Sequence, residues 1–227
     1  MNRPSFSKIL VETCRLLLGV VFLFSGATKA VDPQGGAIKI ADYLVAFGLD
    51  TFKELSLFFA FNLSAVEFAL GVTLLLGVYR RYAAWLTLLM MCFMTPLTLY
   101  LALFDPVSDC GCFGEALLLT NWQTFFKNVV LLAAACYLWR YNQHLVRGFS
   151  RQAYWFVPLW SYLFICGFAY HNYMHLPIVD FRPYKIGVNI QAGRMIPEDA
   201  PQDEYRYSFI YEKAGVRKEF GLEDAPA

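Results

Sequence analysis

The chain has 227 residues, of which 58% are hydrophobic and 16% charged. Soluble domains carry roughly a quarter charged residues, and here the apolar residues run in long blocks, which excludes an ordinary soluble globule and indicates a membrane protein. A formal net charge of +1 leaves no electrostatic footprint for nucleic acid, so no nucleic-acid partner is expected.

Five stretches approach the roughly 20 residues that a spanning helix needs. The first covers residues 9–31 and follows Arg3 and Lys8. It is long enough to span and no clear small-residue cleavage site follows it, so it reads as a retained anchor rather than a signal peptide. Residues 32–54 form the longest link: "DPQGG" breaks the chain, and "AIKIADYLVAFGLD" then reads as a short amphipathic helix on the bundle surface. Its apolar face would comprise Ile38, Ala41, Leu44, Val45 and Phe47. The second span is expected over 55–79, the third over 82–104, the fourth over 122–140 and the fifth over 153–175. Lys127 and Asn128 interrupt the fourth. Pro96 is expected to kink the third. Trp122, Trp139 and Trp155 fall near helix ends, where interface anchors sit.

The expected fold is an all-α membrane protein with a short tail. Residues 1–140 would form the transmembrane core, 141–175 a cytoplasmic link and fifth helix, and 176–227 an extracytoplasmic tail. In that tail, Pro177 and Pro183 argue against helix, while "EYRYSFIYE" and "VRKEF" around Lys213-Ala214-Gly215 suggest a β-hairpin.

The basic residues set the orientation. Arg3 and Lys8, then Arg80 and Arg81, then Arg140, Arg147 and Arg151 share one side of a five-span protein, while the 105–121 loop has acidic residues and no Lys or Arg. The positive-inside rule places the N-terminus in the cytoplasm and the loop and tail outside a cytoplasmic membrane, with lipid around the spans.

That loop carries "SDCGCFGE", with Cys110 and Cys112 one residue apart. The pair could be a redox couple, half of a metal site, or two unrelated thiols. Outside the cytoplasm paired cysteines tend to oxidise. A disulfide across one residue is small and poorly shaped, and strained exposed disulfides exchange readily. Gly111 relieves backbone strain in so tight a loop, and Gly114 permits a turn. Asp109 and Glu115 disfavour the attacking thiolate, and Lys127 with the following helix N-terminus is the candidate compensation. The bland alternative is a static staple in a non-enzymatic scaffold or accessory subunit. A weaker alternative is a metal site, because His171 and His175 share a helical face and, with the two thiols, would make a Cys2His2 set. Cys14, Cys92, Cys136 and Cys166 lie inside the expected helices and read as packing residues.

Arg15 and Glu67 are charges within the first two spans. Each costs ~2.5–3.5 kcal/mol at mid-bilayer unless paired. Counted from the cytoplasmic ends, their offset of roughly 7 Å is within an Arg side chain's reach. Glu12 competes for Arg15, and snorkelling is open to it. A bland pair would fix helix register; a sharper reading is a polar pocket for a quinone head group or for protons. Lys29 would stand at the outer surface, as a snorkelling anchor or a ligand to an anionic group.

Taken together, "RLLLGVVFLFSGATKAVDP", Glu67, "LGVYRR" and "DCGCFGE" resemble the DoxX/MauE family over roughly residues 9–140, closest to its MauE branch. The tail "LPIVDFRPYKIGVNI" looks like that of Bacteroidetes members, which often continue into a further extracytoplasmic region, so this chain could be a shortened form. The resemblance implies a four-helix bundle and disulfide formation in periplasmic proteins, with a thioredoxin-like partner. It also implies that Cys110 and Cys112 carry the exchange. The bundle is similar in plan to the vitamin K epoxide reductase fold, which makes a quinone the candidate electron carrier.

Overall fold

A computed structural model describes residues 6–105, 107, 111–117, 119–141, 154–182, 185, 187–189, 208–213 and 216–221. The chain divides into two units, Met1–Lys185 and Ile186–Ala227. The first is helical; in the second, β1 (Ser208–Lys213) pairs antiparallel with β2 (Val216–Gly221), with Phe209 opposite Phe220. Residues 214 and 215, between these strands, lie outside the described residues.

The helices of the first unit are α1 (Phe6–Val31), α2 (Pro33–Ala46), α3 (Ser56–Leu76), α4 (Arg80–Phe104), α5 (Asn121–Tyr141) and α6 (Phe156–Met174). Among the described residues, three helical stretches are long and apolar enough to cross a membrane: Ser7–Val31, Asp50–Leu76 and Arg80–Phe104. The protein is therefore a membrane protein. Its many exposed Leu, Phe and Val side chains on these helices would be intolerable in water but suit lipid.

Side chains from α1, α3, α4 and α5 share one apolar core, with Leu18, Leu74, Ala84 and Leu138 almost wholly buried. The seam between α1 and α3 is made by small residues. A Cβ on Gly26 would strike the backbone of Ser64 and Phe68, and one on Gly71 would strike the backbone at Leu23. Gly19 meets Leu75, Leu23 meets Gly71 and Gly26 meets Phe68, so the two helices run antiparallel. In lipid, where burying apolar side chains gains little, such close backbone approach is what holds helices together. The opposite end of α3 is closed by Gly77 at φ 67°, with its N–H on the Leu74 carbonyl and the Val78 N–H on that of Thr73.

Two sequence expectations change in form. "DPQGG" does not break the chain; it starts α2. Asp32 caps the helix by accepting from the Gly35 N–H, and Pro33 occupies the first turn, where its missing donor costs nothing. The residues of α2 that are buried are Pro33, Ala37 and Ala41. Of the expected apolar face, Ile38 is 60% exposed, and Val45 and Phe47 are also exposed. Small residues, not large ones, make the contact because α2 lies close on α3, with Gly36 facing Ala60. α4 is continuous through Pro96, next to which Thr95 Oγ1 donates to the Met91 carbonyl at 2.7 Å.

α5 absorbs its polar residues instead of being interrupted by them. Asn128 is buried and donates to Thr98 Oγ1 on α4 at 3.2 Å. α6 packs against α3 and α1. Its Asn172 donates to the Ala30 carbonyl at 3.0 Å and accepts from the Ile178 N–H at 3.1 Å, tying the chain after α6 to the end of α1. Trp122, Trp139 and Trp155 are exposed.

Candidate functional site: a cysteine loop docked on a buried ion pair

The loop between α4 and α5 folds back into the bundle. Its two ends are tied by Asn121, whose Nδ2 donates to Asp105 Oδ1 at 2.7 Å and to the Val107 carbonyl at 3.0 Å. Gly111 (φ 62°) and Gly114 (φ 55°) both take the left-handed conformation that other residues avoid. Between them Cys112 and Phe113 turn inward and are buried. Phe113 packs on Phe24 of α1, with ring centroids 5.5 Å apart. Cys112 packs against Leu101 of α4, beside Tyr43 of α2 and Met94.

The anchor of this turn is Ser25. Its Oγ lies 2.6 Å from the Cys112 carbonyl oxygen and 2.7 Å from Glu67 Oε2. The hydroxyl has one proton and so donates to one of these acceptors at a time. It also accepts from Lys29 Nζ at 2.8 Å. Lys29 Nζ in turn meets Glu67 Oε2 at 2.6 Å, and both side chains are nearly buried. Ser25 precedes Val31, the end of α1, by six residues. The loop backbone therefore reaches about 9 Å down the helix.

Of the two roles expected of Lys29, a snorkelling anchor or a ligand to an anionic group, the pairing with the Glu67 carboxylate is of the second kind. Lys29 is one turn past Ser25, on the helix face that meets α3, and a buried carboxylate in lipid requires a cation more than the surface does. Arg15 and Glu67 are not partners. Arg15 Nε pairs with Glu12 at 2.7 Å, and its Nη1 donates to the Leu75 carbonyl at 2.7 Å and also to that of Leu74. It adds a charged donor to the last turn of α3, at the Leu75 carbonyl and at the Leu74 carbonyl that also accepts from the Gly77 N–H.

The remaining expected site residues fall as follows. Cys110 and Asp109 lie outside the described residues, as does the Glu115 side chain. Lys127 Nζ stands 4.2 Å from the centre of the Phe113 ring, a cation–π contact next to Cys112. His171 and His175 stack on each other at 4.7 Å, and His175 Nδ1 lies 3.1 Å from the His171 carbonyl. Among the described residues no group of three metal-ligating side chains is found. Ser25 was not singled out from the sequence. The available signal was Ser25-x-x-x-Lys29, which sets a hydroxyl and an ammonium one turn apart on one helix face.

Cys112 borders three cavities, of which the smallest, about 10 Å³, lies within its own loop against Thr124. A small one, about 40 Å³, lies inside the bundle and is also lined by Ser25, Lys29, Glu67, Lys127 and Asn128. A large one, about 640 Å³, runs between α2, α3 and α4 and ends at Lys29, Gly111 and Cys112.

The fold and site together define a polytopic helical membrane protein whose cysteine-bearing loop is locked onto an intramembrane ion pair. The chain belongs to the MauE family: the family model, described as methylamine utilisation protein MauE, matches residues 7–140. Beyond the family, the chain is similar to "Protein TlpB" of Flavobacterium psychrophilum, with 25% identity over 135 residues, 58% of this chain. That stretch is 37% of the relative, so the chain matches well under half of its length. No solved structure matches.

Proposed function

We propose that the protein is an integral membrane thiol–disulfide redox protein, passing electrons between a periplasmic thioredoxin-like protein and a carrier in the membrane. The observation that carries this reading is the position of Cys112. It is 8% exposed, yet it borders both the buried Lys29–Glu67 pair and the large apolar groove. The resemblance of the "DCGCFGE" loop to MauE-type proteins supports the same chemistry.

In this reading Cys110 and Cys112 cycle between disulfide and dithiol. A partner thiolate attacks Cys110, a mixed disulfide forms, and Cys112 leaves as a thiolate that takes up a proton. The partner's second thiolate then attacks the mixed disulfide, Cys110 leaves, and the partner is released oxidised. The two electrons gained by the pair pass to the membrane carrier. Burial of Cys112 favours it as the inner, resolving thiol. Ser25 holds its backbone in place and Lys127 adds positive charge beside it. The loop and tail face the periplasm of a bacterial cytoplasmic membrane, and α5 and α6 complete five spans around a four-helix core.

The test is trapping. A Cys112→Ala chain, expressed with the periplasm intact, should accumulate a mixed disulfide by the reverse step: the lone Cys110 thiolate attacks the disulfide of the oxidised thioredoxin-like protein, one partner sulfur leaves as a thiolate, and no Cys112 is present to complete the exchange. Absence of any adduct, with full cellular function of the double serine variant, removes the redox reading.

The burial of Cys112 also supports a second reading, a scaffold with the two cysteines as a static staple. A reduction potential well above about −300 mV marks an exchangeable pair, and a lower one marks a staple.

A further inference from the structure

We infer that the groove between α2, α3 and α4 is the seat of the membrane carrier, and that this carrier is an isoprenoid quinone whose head lies between Lys29 and Cys112. The inference rests on the thiol–disulfide reading for its chemistry, but the site itself is argued from the groove.

The volume, about 640 Å³, falls within the ~300–1,000 Å³ of small-molecule sites. The walls are nearly all apolar: Leu44 and Phe47 from α2, Leu63 from α3, Phe93 and Leu97 from α4. Phe93 and Phe47 are exposed on the same lipid-facing surfaces as the rest of the bundle exterior, so an apolar tail can enter from the bilayer side. The polar side chains in the lining are few, Lys29, Asp32, Lys39 and Tyr43, with Gly111 beside Lys39 and Cys112 beside Lys29. A ligand with a long hydrocarbon chain and one small polar head matches this division.

Charge selects among such ligands. Lys29 is neutralised by Glu67, and Asp32 offsets Lys39 among the lining residues. A phosphate head needs surplus positive charge, and the charges that line the groove itself balance; Lys127 lies on the other side of Cys112, against the Phe113 ring. A neutral carbonyl head needs one hydrogen-bond donor. Lys29 has three, of which two are used, on Glu67 and Ser25. The third suits a quinone carbonyl oxygen.

The exchange balances. The Cys110 and Cys112 thiols lose two electrons and two protons; two S–H bonds break and one S–S bond forms. The quinone gains both electrons and both protons, forms two O–H bonds and leaves as the quinol. The Arg15 region does not serve as the head-group site, because Arg15 is committed to Glu12 and to the carbonyls at the end of α3.

The experiment uses the full chain in nanodiscs of zwitterionic lipid, with a decyl-tailed benzoquinone as probe and equilibrium binding as readout. The Cys110→Ser/Cys112→Ser chain is tested alongside the native one, so that binding is measured apart from thiol chemistry. Saturable binding to both chains is expected, weakened at least tenfold by Leu97→Trp, which fills the groove. Gly36→Leu, which adds bulk at a glycine with only Ala60 nearby, should weaken it as well. No saturable binding, or binding that neither variant weakens, overturns the inference even if partner trapping succeeds. Displacement of the probe by phosphatidylglycerol at equal concentration overturns it in favour of an anionic-lipid site. Failure of partner trapping with quinone binding intact removes the thiol–disulfide reading and leaves the groove assigned.

Discussion

α1 carries two ion pairs, and they differ in what surrounds them. Near the start, Arg15 pairs with Glu12 on its own helix and donates to carbonyls of Leu74 and Leu75. Near the end, Lys29 pairs with Glu67 on α3, and Ser25 links the pair to the Cys112 carbonyl. The first satisfies a helix end and borders none of the cavities that Cys112 lines; the second borders the two larger of them. A charge within a spanning segment is thus not a functional mark by itself. What separates the two is whether the charge is consumed by backbone or left beside open volume and a reactive side chain.

The comparison depends on the α1–α3 seam, so breaking that seam has the largest expected effect. Gly26→Leu or Gly71→Val drives a side chain into the facing backbone and should cost about 3 kcal/mol or more. The measurement is the yield of monodisperse protein and its resistance to SDS unfolding. Both ion pairs should be lost together.

Next comes the Lys29–Glu67 pair alone. Glu67→Met leaves Lys29 as an unpaired buried cation and should cost about 3–5 kcal/mol in the same unfolding assay. The double change Lys29→Met/Glu67→Met should recover most of that loss while abolishing exchange with the membrane carrier. If the double variant is no more stable than the single one, the pair is not an isolated unit. Near the start of α1, Arg15→Met should cost less, about 1.5–3 kcal/mol, by removing charged hydrogen bonds to the α3 carbonyls. It should leave partner trapping at the cysteines unaltered.

Ser25→Ala sharpens the comparison at smaller cost, about 1 kcal/mol in stability. Its main effect should be on the loop: without the bond to its carbonyl, Cys112 should react several-fold faster with a small thiol reagent. An unchanged labelling rate means that Phe113 and the two left-handed glycines hold the turn unaided.

The smallest effect belongs to an exposed pair after α6. Arg182 holds the Asp180 carboxyl down to about 2 through a hydrogen bond at 2.7 Å, aided by the Arg182 backbone N–H and the Lys185 charge. Because the folded value is lowered, the contribution is complete above about pH 4 and is lost as pH falls through about 2. Exposure screens it, so it should be visible in a carboxyl titration of Arg182→Ala but not in unfolding.

Much of the architecture was legible. Long apolar blocks mark spanning segments because a bilayer demands continuous apolar length. Some elements were misjudged for local reasons. Asp32-Pro33 was read as a break because proline interrupts helices, yet at a first turn it starts one. Asn128 was read as an interruption because its partner, Thr98, is distant in the chain.

The sequence by itself determined that this is a helical membrane protein with a glycine-flanked cysteine loop on one side. Both properties follow from composition and short-range spacing, which need no folding to exist. Only the tertiary structure decided which charges meet. Lys29 pairs with Glu67, and Arg15 turns to Glu12, because glycines let α1 and α3 approach at backbone distance and so fix one register between them. The same approach brings Ser25 under the Cys112 carbonyl and leaves the groove under α2 open, and no spacing along the chain encodes that.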